Sequence, residues 1–422
     1  MFAPRADAWV LSRSRILTYK GSLSQSTQYR IFENGTLITG SGSVRDGMVV
    51  TRGGRIAYAG PRAGAEFPPD AERVDAGGGL LAPGFVDIHI HGGDGSDFMD
   101  ATVDDVAKVF RYHLRHGTTS MCPTTATAPI EEILASLEAI ASYRSGPQAY
   151  GRALGAHIEG PYLTMSKRGC HLPEFVRNPE PREWMSILER GPVASMTLAP
   201  ELPGARQLIE ELHRRGANAN AGHSEALFHE MQEAAGWGLT HVTHLYCAMT
   251  DAMNNRWRGT PNPRVAGMVE AVYLDDRLSS ELITDGKHLS REMLQLALRV
   301  KGYEKLAIVT DAMRGAGMPD GEYAFGPRHG MIAVVRDREA RIPDGTALAS
   351  SVYAMDEMIR TFRDLTSCPL WQAIRMASLT PAEIVGVADD IGSLEAGKRA
   401  DIVICDMDLI VKAVYLGGVA AE

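Results

Sequence analysis

The feature of this sequence that most constrains its fold is a regular alternation of short apolar runs with amphipathic helical stretches. The helical stretches include residues 102–117, 131–143 and 290–302. Eight strands alternating with helices over roughly 230 residues predict a TIM-like (β/α)8 barrel, which we place at residues 82–389. An open doubly wound sheet fits less well, because no glycine-rich nucleotide fingerprint follows the first run. The predicted strands are FVDIHIH (85–91), TTSMCPTT (118–125), ALGAHIEG (153–160), VASMTLAP (193–200), ANANAGHS (217–224), THVTHLY (240–246), SSELITDG (279–286) and KLAIVTDAM (305–313).

Both ends of the chain carry a different pattern, in which short β-rich runs are separated by turn signals. Residues 31–81 contain N-G and G-G pairs between apolar runs, a P-G pair follows at 83–84, and a similar pattern returns over residues 390–422. We therefore predict one small β-sandwich domain built from both segments. Residues 1–30 carry Arg and Ser but also Asp7, with no evident amphipathic helix, so we expect a poorly ordered extension rather than a targeting segment.

Composition places the chain among ordinary globular proteins of the cytoplasm. The net charge is −9 and no run of Lys or Arg is present, which argues against a nucleic-acid surface. The five cysteines form no C-x-x-C pair, as expected in a reducing compartment. No apolar run reaches the ~18 residues needed to span a bilayer, so we expect no membrane partner.

Acidic and imidazole side chains gather where the predicted strands end. Residues two apart in a strand point to the same face, so Asp87, His89 and His91 share one face. The residues that close or follow other runs are Glu159, His223, His244 and Asp311. The C-terminal ends of barrel strands form the active-site face.

A metal ion explains why several such residues would be buried together. Burying an unpaired charge costs several kcal/mol, whereas a metal ion supplies a partner for all of them. Nitrogen and oxygen ligands without cysteine suit zinc, manganese or iron(II). A catalytic metal lowers the pKa of a bound water toward neutrality, and Asp311 would then serve as a general base.

These motifs together resemble the N-acetylglucosamine-6-phosphate deacetylases of the amidohydrolase superfamily. The likeness runs from about residue 31 to 415, and the motifs occur in the order found in that family. They are APGFVDIHIHGG, HIEGPYL, KRGCH, AGHS, THLYCAM, ITDGKHL, IVTDAM and ASLTPAEIVGV followed by IGSLEAGKRADIVI.

The resemblance implies a homodimeric enzyme with one or two divalent metals, most often Zn²⁺, with Fe²⁺ or Mn²⁺ as alternatives. It implies that Glu159, His223 and His244 hold the principal metal and that Asp311 is the catalytic acid and base. His89 and His91 match a pair that lets some members of the family hold a second metal. The residues that match substrate-contacting positions are His171, Cys247, Ala248 and His288.

Two departures from the family pattern concern the substrate. Cys247 stands where the family usually has Asn in THLYNAM, and the loop TDAMNNRWRGTPNPRVAGM is longer than the family's loop. In the family, an Arg of that loop contacts the sugar phosphate across a dimer. Arg256, Arg258 or Arg264 could replace it, or could be solvated loop charges.

The remaining polar residues have simpler interpretations. We expect a supporting or packing role for His157 and packing for His241, while Asp87 fits a structural and a catalytic role equally. Cys247 is expected to be a neutral thiol in the pocket wall. The histidines on helical stretches are expected at the surface, and these are His113, His116, His213 and His229.

Three functions compete at this point. The first is deacetylation of N-acetylglucosamine 6-phosphate to glucosamine 6-phosphate and acetate. The second is deacylation of an unphosphorylated or differently substituted N-acyl amino sugar, which the loop departure allows. The third is a catalytically inactive binding protein on the same fold, which would be expected to have lost a metal ligand or the aspartate.

Overall fold

The computed structural model describes residues 29–63, 65, 67–254 and 264–421. Strands β1 to β5 are Tyr29–Thr39, Gly42–Arg52, Arg55–Pro61, Glu72–Asp75 and Leu80–Pro83. Strands β6 to β16 are Phe85–Ile90, Gly92–Gly93, Ser96–Asp97, Thr118–Thr125, Arg152–Ala153, Ala156–Glu159, Val193–Leu198, Asn218–Ala221, Leu239–Val242, Ser279–Ile283 and Leu306–Val309. Strands β17 to β22 are Gly321–Ala324, Ile332–Arg336, Glu339–Arg341, Ile402–Cys405, Val411–Leu416 and Val419–Ala420.

The helices are mostly short and lie between the strands. Helices α1 to α5 are Val103–Leu114, Ile130–Ser145, Pro181–Arg190, Ala205–Arg215 and Phe228–Trp237. Helices α6 to α10 are Met268–Leu274, Arg291–Lys301, Met355–Thr366, Leu370–Met376 and Leu379–Ile384. Within the described residues, no helix is both long enough and apolar enough to cross a bilayer.

Eight parallel strands form the predicted (β/α)8 barrel. Their order is β6-β9-β11-β12-β13-β14-β15-β16, and the short β10 adds to β9. The amide of Asp311, just after β16, donates to the carbonyl of His89 on β6 at 2.9 Å, so the last strand meets the first. Each of the eight predicted runs overlaps one of these strands, and the barrel prediction is confirmed.

The outer helices cover the barrel with their apolar faces. In α1, the hydroxyl of Thr102 accepts from the amide of Asp105 at 3.0 Å and fixes the helix start. The buried residues Val106, Val109 and Phe110 recur at helical spacing and face the barrel. Burial of this face, more than helix propensity, holds such a helix in place.

The strands of both chain ends form one separate sheet. Its order is β22-β21-β20-β5-β1-β2-β3, with β4 paired to β1. The rings of Phe32 on β1 and Tyr415 on β21 lie 4.7 Å apart, although two strands separate β1 from β21. Because neighbouring strands are about 4.8 Å apart, this contact requires the sheet to fold over a core of its own. The small β domain built from both ends is thus confirmed.

Two further features of the chain bear on the sequence prediction. The first strand begins at Tyr29, and residues 1–28, most of the predicted extension, lie outside the described residues. A small antiparallel sheet of β17, β18 and β19 follows the last barrel strand and was not predicted. It brings Phe325, at the end of β17, toward the barrel mouth.

The expectation that His113 lies at the surface is wrong. His113 is completely buried, and its Nε2–H donates to the carbonyl of Gly92 at 3.0 Å. It continues the apolar face of α1, seven residues after Val106. His116 is partly buried beside Asp356, whereas His213 and His229 are exposed as expected.

Candidate metal centre and active site

The structure brings the predicted metal-binding residues together at the C-terminal mouth of the barrel. His89 lies on β6, His91 directly follows that strand, and Glu159 ends β11. His223 and His244 each lie two residues beyond a strand. All five side chains are buried.

The carboxylate of Glu159 lies at the centre of this group. Its Oε1 atom lies 3.3 Å from the Nε2 atoms of His89, His223 and His244. Its Oε2 atom lies 3.1 Å from Nε2 of His91 and 3.3 Å from Nε2 of His171. Five imidazoles from different parts of the barrel therefore face one carboxylate.

The protonation of His223 leaves a lone pair directed into the cluster. The Nδ1–H of His223 donates to the main-chain oxygen of Lys167 at 2.7 Å. When the His223 ring is neutral, its Nε2 therefore carries no proton. This Nε2 lies 3.0 Å from Nε2 of His244. Either a proton on Nε2 of His244 or a bound cation can give this lone pair a partner.

The donor set fits a divalent metal of the zinc, manganese or iron(II) type. Ligand atoms of His89, His91 and Glu159 lie within 4.8 Å of one another, and so do those of Glu159, His171 and His223. Each set contains imidazole nitrogen and carboxylate oxygen without thiolate.

His171 differs from the other imidazoles in its tautomer. Its Nδ1 accepts from the amide of Thr127 at 3.2 Å, so a neutral His171 carries its proton on Nε2. Burial lowers the pKa of His171 to about 4, so the ring is neutral near pH 7. A neutral ring of this tautomer presents an N–H donor to the site, which suits a substrate oxygen better than a metal.

Asp311 joins the cluster from the end of β16. Burial raises the pKa of its carboxyl, but His89 and His91 outweigh that effect and lower the pKa to about 2. Its Oδ1 lies 3.3 Å from Nε2 of His91 and accepts from the hydroxyl of Ser350 at 2.8 Å. The carboxylate is therefore ionised and held in one orientation.

The backbone is unusual at three of these positions. His223, His244 and Asp311 have φ of 49°, 29° and 45°, in the left-handed region that residues other than glycine rarely occupy. Such conformations cost about 1–3 kcal/mol each and cluster at functional sites. They turn each side chain toward the barrel axis directly after its strand ends.

A pocket of about 360 Å³ opens above the cluster. The predicted substrate-binding residues His171, Cys247, Ala248 and His288 all line it. Arg264 is exposed and contacts the sulfur of Met253, apart from the lining of this pocket. Arg256 and Arg258 lie outside the described residues.

The pocket wall combines two basic side chains with the neutral thiol of Cys247. Lys167 lines the pocket, and the Nδ1–H of His288 donates to Asp285 at 2.8 Å, an interaction that helps to raise the pKa of His288 against the effect of burial. Burial raises the pKa of the Cys247 thiol to about 12, so this thiol is neutral, as expected.

The other polar residues of the barrel have structural contacts. Asp87 accepts from the hydroxyl of Thr310 at 2.5 Å, which ties β6 to β16. His157 contacts the hydroxyl of Thr197 at 2.7 Å, and His241 contacts Glu281 at 3.1 Å. Asp87 thus lies behind the cluster rather than in the pocket.

Sequence reasoning missed four residues of this site. Ser350 and Phe325 lie in segments that carry no recognisable signal, whereas Lys167 belongs to the motif KRGCH, of which only His171 was singled out. Glu281, fully buried on β15, contacts His89, His241 and the backbone of His244. A carboxylate in the middle of the predicted strand SSELITDG, rather than at its end, was the available signal for it.

Comparison with known proteins supports this architecture. The family model described as "Amidohydrolase family" matches residues 80–420. The chain is 34% identical over 407 residues to N-acetylglucosamine-6-phosphate deacetylase of Mus musculus, covering 93% of this chain and 94% of the relative. It is 35% identical over 390 residues to N-acetylgalactosamine-6-phosphate deacetylase of Escherichia coli O157:H7, covering 92% and 97%.

Solved structures give the same result. A mutant N-acetyl-D-glucosamine-6-phosphate deacetylase of Mycobacterium smegmatis, in complex with N-acetyl-D-glucosamine-6-phosphate, matches with a TM-score of 0.83 and 32% identity, covering 93% of this chain and 99% of that one. An N-acetylglucosamine-6-phosphate deacetylase of Pasteurella multocida matches with a TM-score of 0.85 and 29% identity, covering 93% and 100%. The chain belongs to the N-acetylglucosamine-6-phosphate deacetylase family of the amidohydrolase superfamily.

Proposed function

We propose that this protein hydrolyses the N-acetyl group of N-acetylglucosamine 6-phosphate, releasing acetate and glucosamine 6-phosphate. The observation that carries the proposal is the convergence of Glu159, His223 and His244 beside Asp311 at the base of one pocket. The family membership supplies the substrate class, because relatives that cover most of the chain are deacetylases of acetylated amino-sugar phosphates.

In this proposal Glu159, His223 and His244 hold the principal metal, with His89 and His91 available for a second ion. Zn²⁺ is the proposed metal, and Fe²⁺ or Mn²⁺ suits the same ligands. The chemistry that such an ion supplies is Lewis acidity, which makes water nucleophilic near neutral pH and polarises a carbonyl.

The protein's own groups perform the proton transfers. Asp311 accepts a proton as a water oxygen bonds to the acetyl carbon, and it later donates that proton to the departing amine nitrogen. The bond between the acetyl carbon and the nitrogen then breaks, giving acetate and the amino sugar. The Ser350 hydroxyl holds Oδ1 of Asp311, so Oδ2 remains for this exchange.

His171 stabilises the charge that develops on the carbonyl oxygen. Its Nε2–H points into the cluster because the amide of Thr127 occupies Nδ1. A preorganised donor of this kind in a buried site contributes most when the oxygen becomes negative.

The groups proposed to bind the phosphate are basic side chains at the pocket wall and in the nearby loop. Lys167 and His288 line the pocket. In the loop that departs from the family pattern, we propose that the phosphate contact comes from Arg256, Arg258 or Arg264. The homodimer and the cytoplasmic location also remain predictions of the sequence.

The 4-epimer, N-acetylgalactosamine 6-phosphate, is a second candidate substrate. The Escherichia coli relative named for that substrate is 35% identical, so identity alone does not separate the two. Both candidates share the acetamide, on which the cluster would act, and the phosphate, which the basic side chains of the pocket would bind.

A substrate panel tests the proposal. We would measure kcat/KM of zinc-loaded protein of known metal content on both phosphorylated sugars and on their unphosphorylated forms. The proposal predicts the highest value for N-acetylglucosamine 6-phosphate and a large loss when the phosphate is removed. Equal values with and without phosphate would contradict the substrate assignment and favour an unphosphorylated N-acyl amino sugar.

A further inference from the structure

Glu281 is a buried carboxylate that the proposed reaction does not use. It lies on β15 with no exposed surface, behind the ring of imidazoles rather than in the pocket. Its two oxygens face donors from three different segments. A buried carboxylate with such partners acts on the groups that it contacts, because it cannot reach a substrate.

One oxygen of Glu281 contacts both sides of the cluster. Its Oε2 accepts from Nδ1–H of His89 at 2.9 Å and from the amide of His244 at 3.1 Å. Oε1 lies 3.1 Å from Nε2 of His241. The carboxylate thus joins β6, β14 and the turn that carries His244.

The contact with His89 determines which ring nitrogen faces the cluster. An acceptor at Nδ1 keeps a proton there, so Nε2 is the nitrogen that faces Glu159 at 3.3 Å and His91 at 3.3 Å and that would bind a metal. Partners of this kind orient metal-binding histidines and raise their basicity.

We propose that Glu281 is a positioning residue that fixes the orientation and tautomer of His89, and thereby the metal affinity of the His89 and His91 side of the centre. This inference rests on the proposed metal-dependent function and adds a residue to it. Glu281 also accepts from the His244 amide, and this contact would link the His89 and His91 ligands to the His223 and His244 ligands.

The variant Glu281→Met tests this inference, because it removes both acceptor oxygens at nearly constant volume. Purified full-length protein would be stripped of metal and titrated with Zn²⁺ in competition with a chromophoric chelator. We expect affinity to fall by about 10–100-fold, the range typical for such supporting residues. Glu281→Gln keeps one acceptor oxygen that can face His89, so it should restore part of the affinity.

Asp356→Leu provides the matched control. Asp356 is also buried and contacts an imidazole Nδ1, that of His116, at 2.9 Å, but it lies outside the cluster. Its replacement should lower thermal stability of the metal-free protein without changing zinc affinity. Equal zinc affinity in wild type and Glu281→Met would overturn the inference.

A double variant separates positioning from general destabilisation. In a His89→Asn background, Glu281→Met should change zinc affinity much less than in wild type, because the two residues act through one contact. An undiminished effect in that background would contradict action through His89.

A second measurement reads the proton position in the wild-type protein and uses a variant only to assign the His89 signals. In zinc-loaded protein labelled with ¹⁵N-histidine, the ring signals lost in His89→Asn should show a proton on Nδ1. A proton on Nε2 of His89 would overturn the proposal. Failure of wild type to bind zinc at all would instead contradict the proposed function.

Discussion

The Nε2 atoms of His223 and His244 lie 3.0 Å apart inside the barrel mouth, while Nδ1–H of His223 donates to the main-chain oxygen of Lys167. The neutral His223 ring therefore points a lone pair at its neighbour. Burial keeps water away from these two nitrogens, and a cation held with Glu159 would give both of them a ligand contact.

Replacing His223 should remove metal from the protein. We expect His223→Ala to lower zinc affinity by more than the about 10–100-fold typical of a supporting residue, because a direct ligand is lost. Elemental analysis and chelator competition would measure it, with the exposed His213→Ala as the control. Undiminished metal in His223→Ala would exclude His223 from the ligand set.

Replacing Asp311 should separate catalysis from metal binding. Asp311→Asn keeps an oxygen for the Ser350 hydroxyl but cannot take a proton from water, so kcat should fall by about 10²–10⁴-fold. Metal content should stay close to that of wild type. Steady-state kinetics on protein of measured metal content would test whether Asp311 transfers the proton. Near-normal turnover in Asp311→Asn would contradict that role.

Replacing Lys167 should affect phosphorylated substrates selectively. Lys167 is one of the residues that line the pocket, and its main-chain oxygen, which holds His223, is unchanged by substitution. A lost charge-assisted hydrogen bond should lower kcat/KM of Lys167→Met on the phosphorylated sugar by about 10–100-fold. The unphosphorylated sugar serves as the internal control, and an equal loss on both would show that Lys167 does not bind the phosphate.

His113 should make the fold sensitive to acid. Burial lowers the pKa of His113 to about 3, despite its hydrogen bond to Gly92, whereas the unfolded chain has the ordinary value of 6.5. The contribution of this neutral ring to the free energy of unfolding is therefore complete above pH 6.5 and declines as the pH falls toward 3. Between pH 6.5 and 5 the free energy of unfolding falls by about 2 kcal/mol on this account.

Urea unfolding of metal-free protein at pH 7 and pH 5 would measure this effect. His113→Gln keeps a donor for Gly92 but does not titrate, so its stability should depend less on pH over this interval than that of wild type. The same pH dependence in both proteins would contradict a neutral buried His113.

The barrel and its polar rim could be predicted because local patterns determine both. A parallel strand buried on both faces is an apolar run, and His89, Glu159 and Asp311 interrupt such runs where the strands end. Their meeting at one mouth follows from the closed order of the strands. The alternation of strands and helices therefore predicted the place of the site as well as the fold.

Other features depend on contacts that no local pattern encodes. Glu281 contacts His89 across 192 residues and His241 across 40, so its role appears only when the barrel is closed. The wrong prediction for His113 has a different cause. Its spacing from Val106, Val109 and Phe110 is helical, and that period predicts burial more strongly than the polarity of an imidazole predicts exposure.

The most direct test of the account is product release by protein with and without metal. Zinc-loaded protein incubated with N-acetylglucosamine 6-phosphate should release acetate and primary amine in equal amounts, and metal-stripped protein should release neither until zinc is restored. Release by the metal-stripped protein would contradict the metal-dependent mechanism. No release by the zinc-loaded protein from this sugar or its 4-epimer would contradict the proposed function itself.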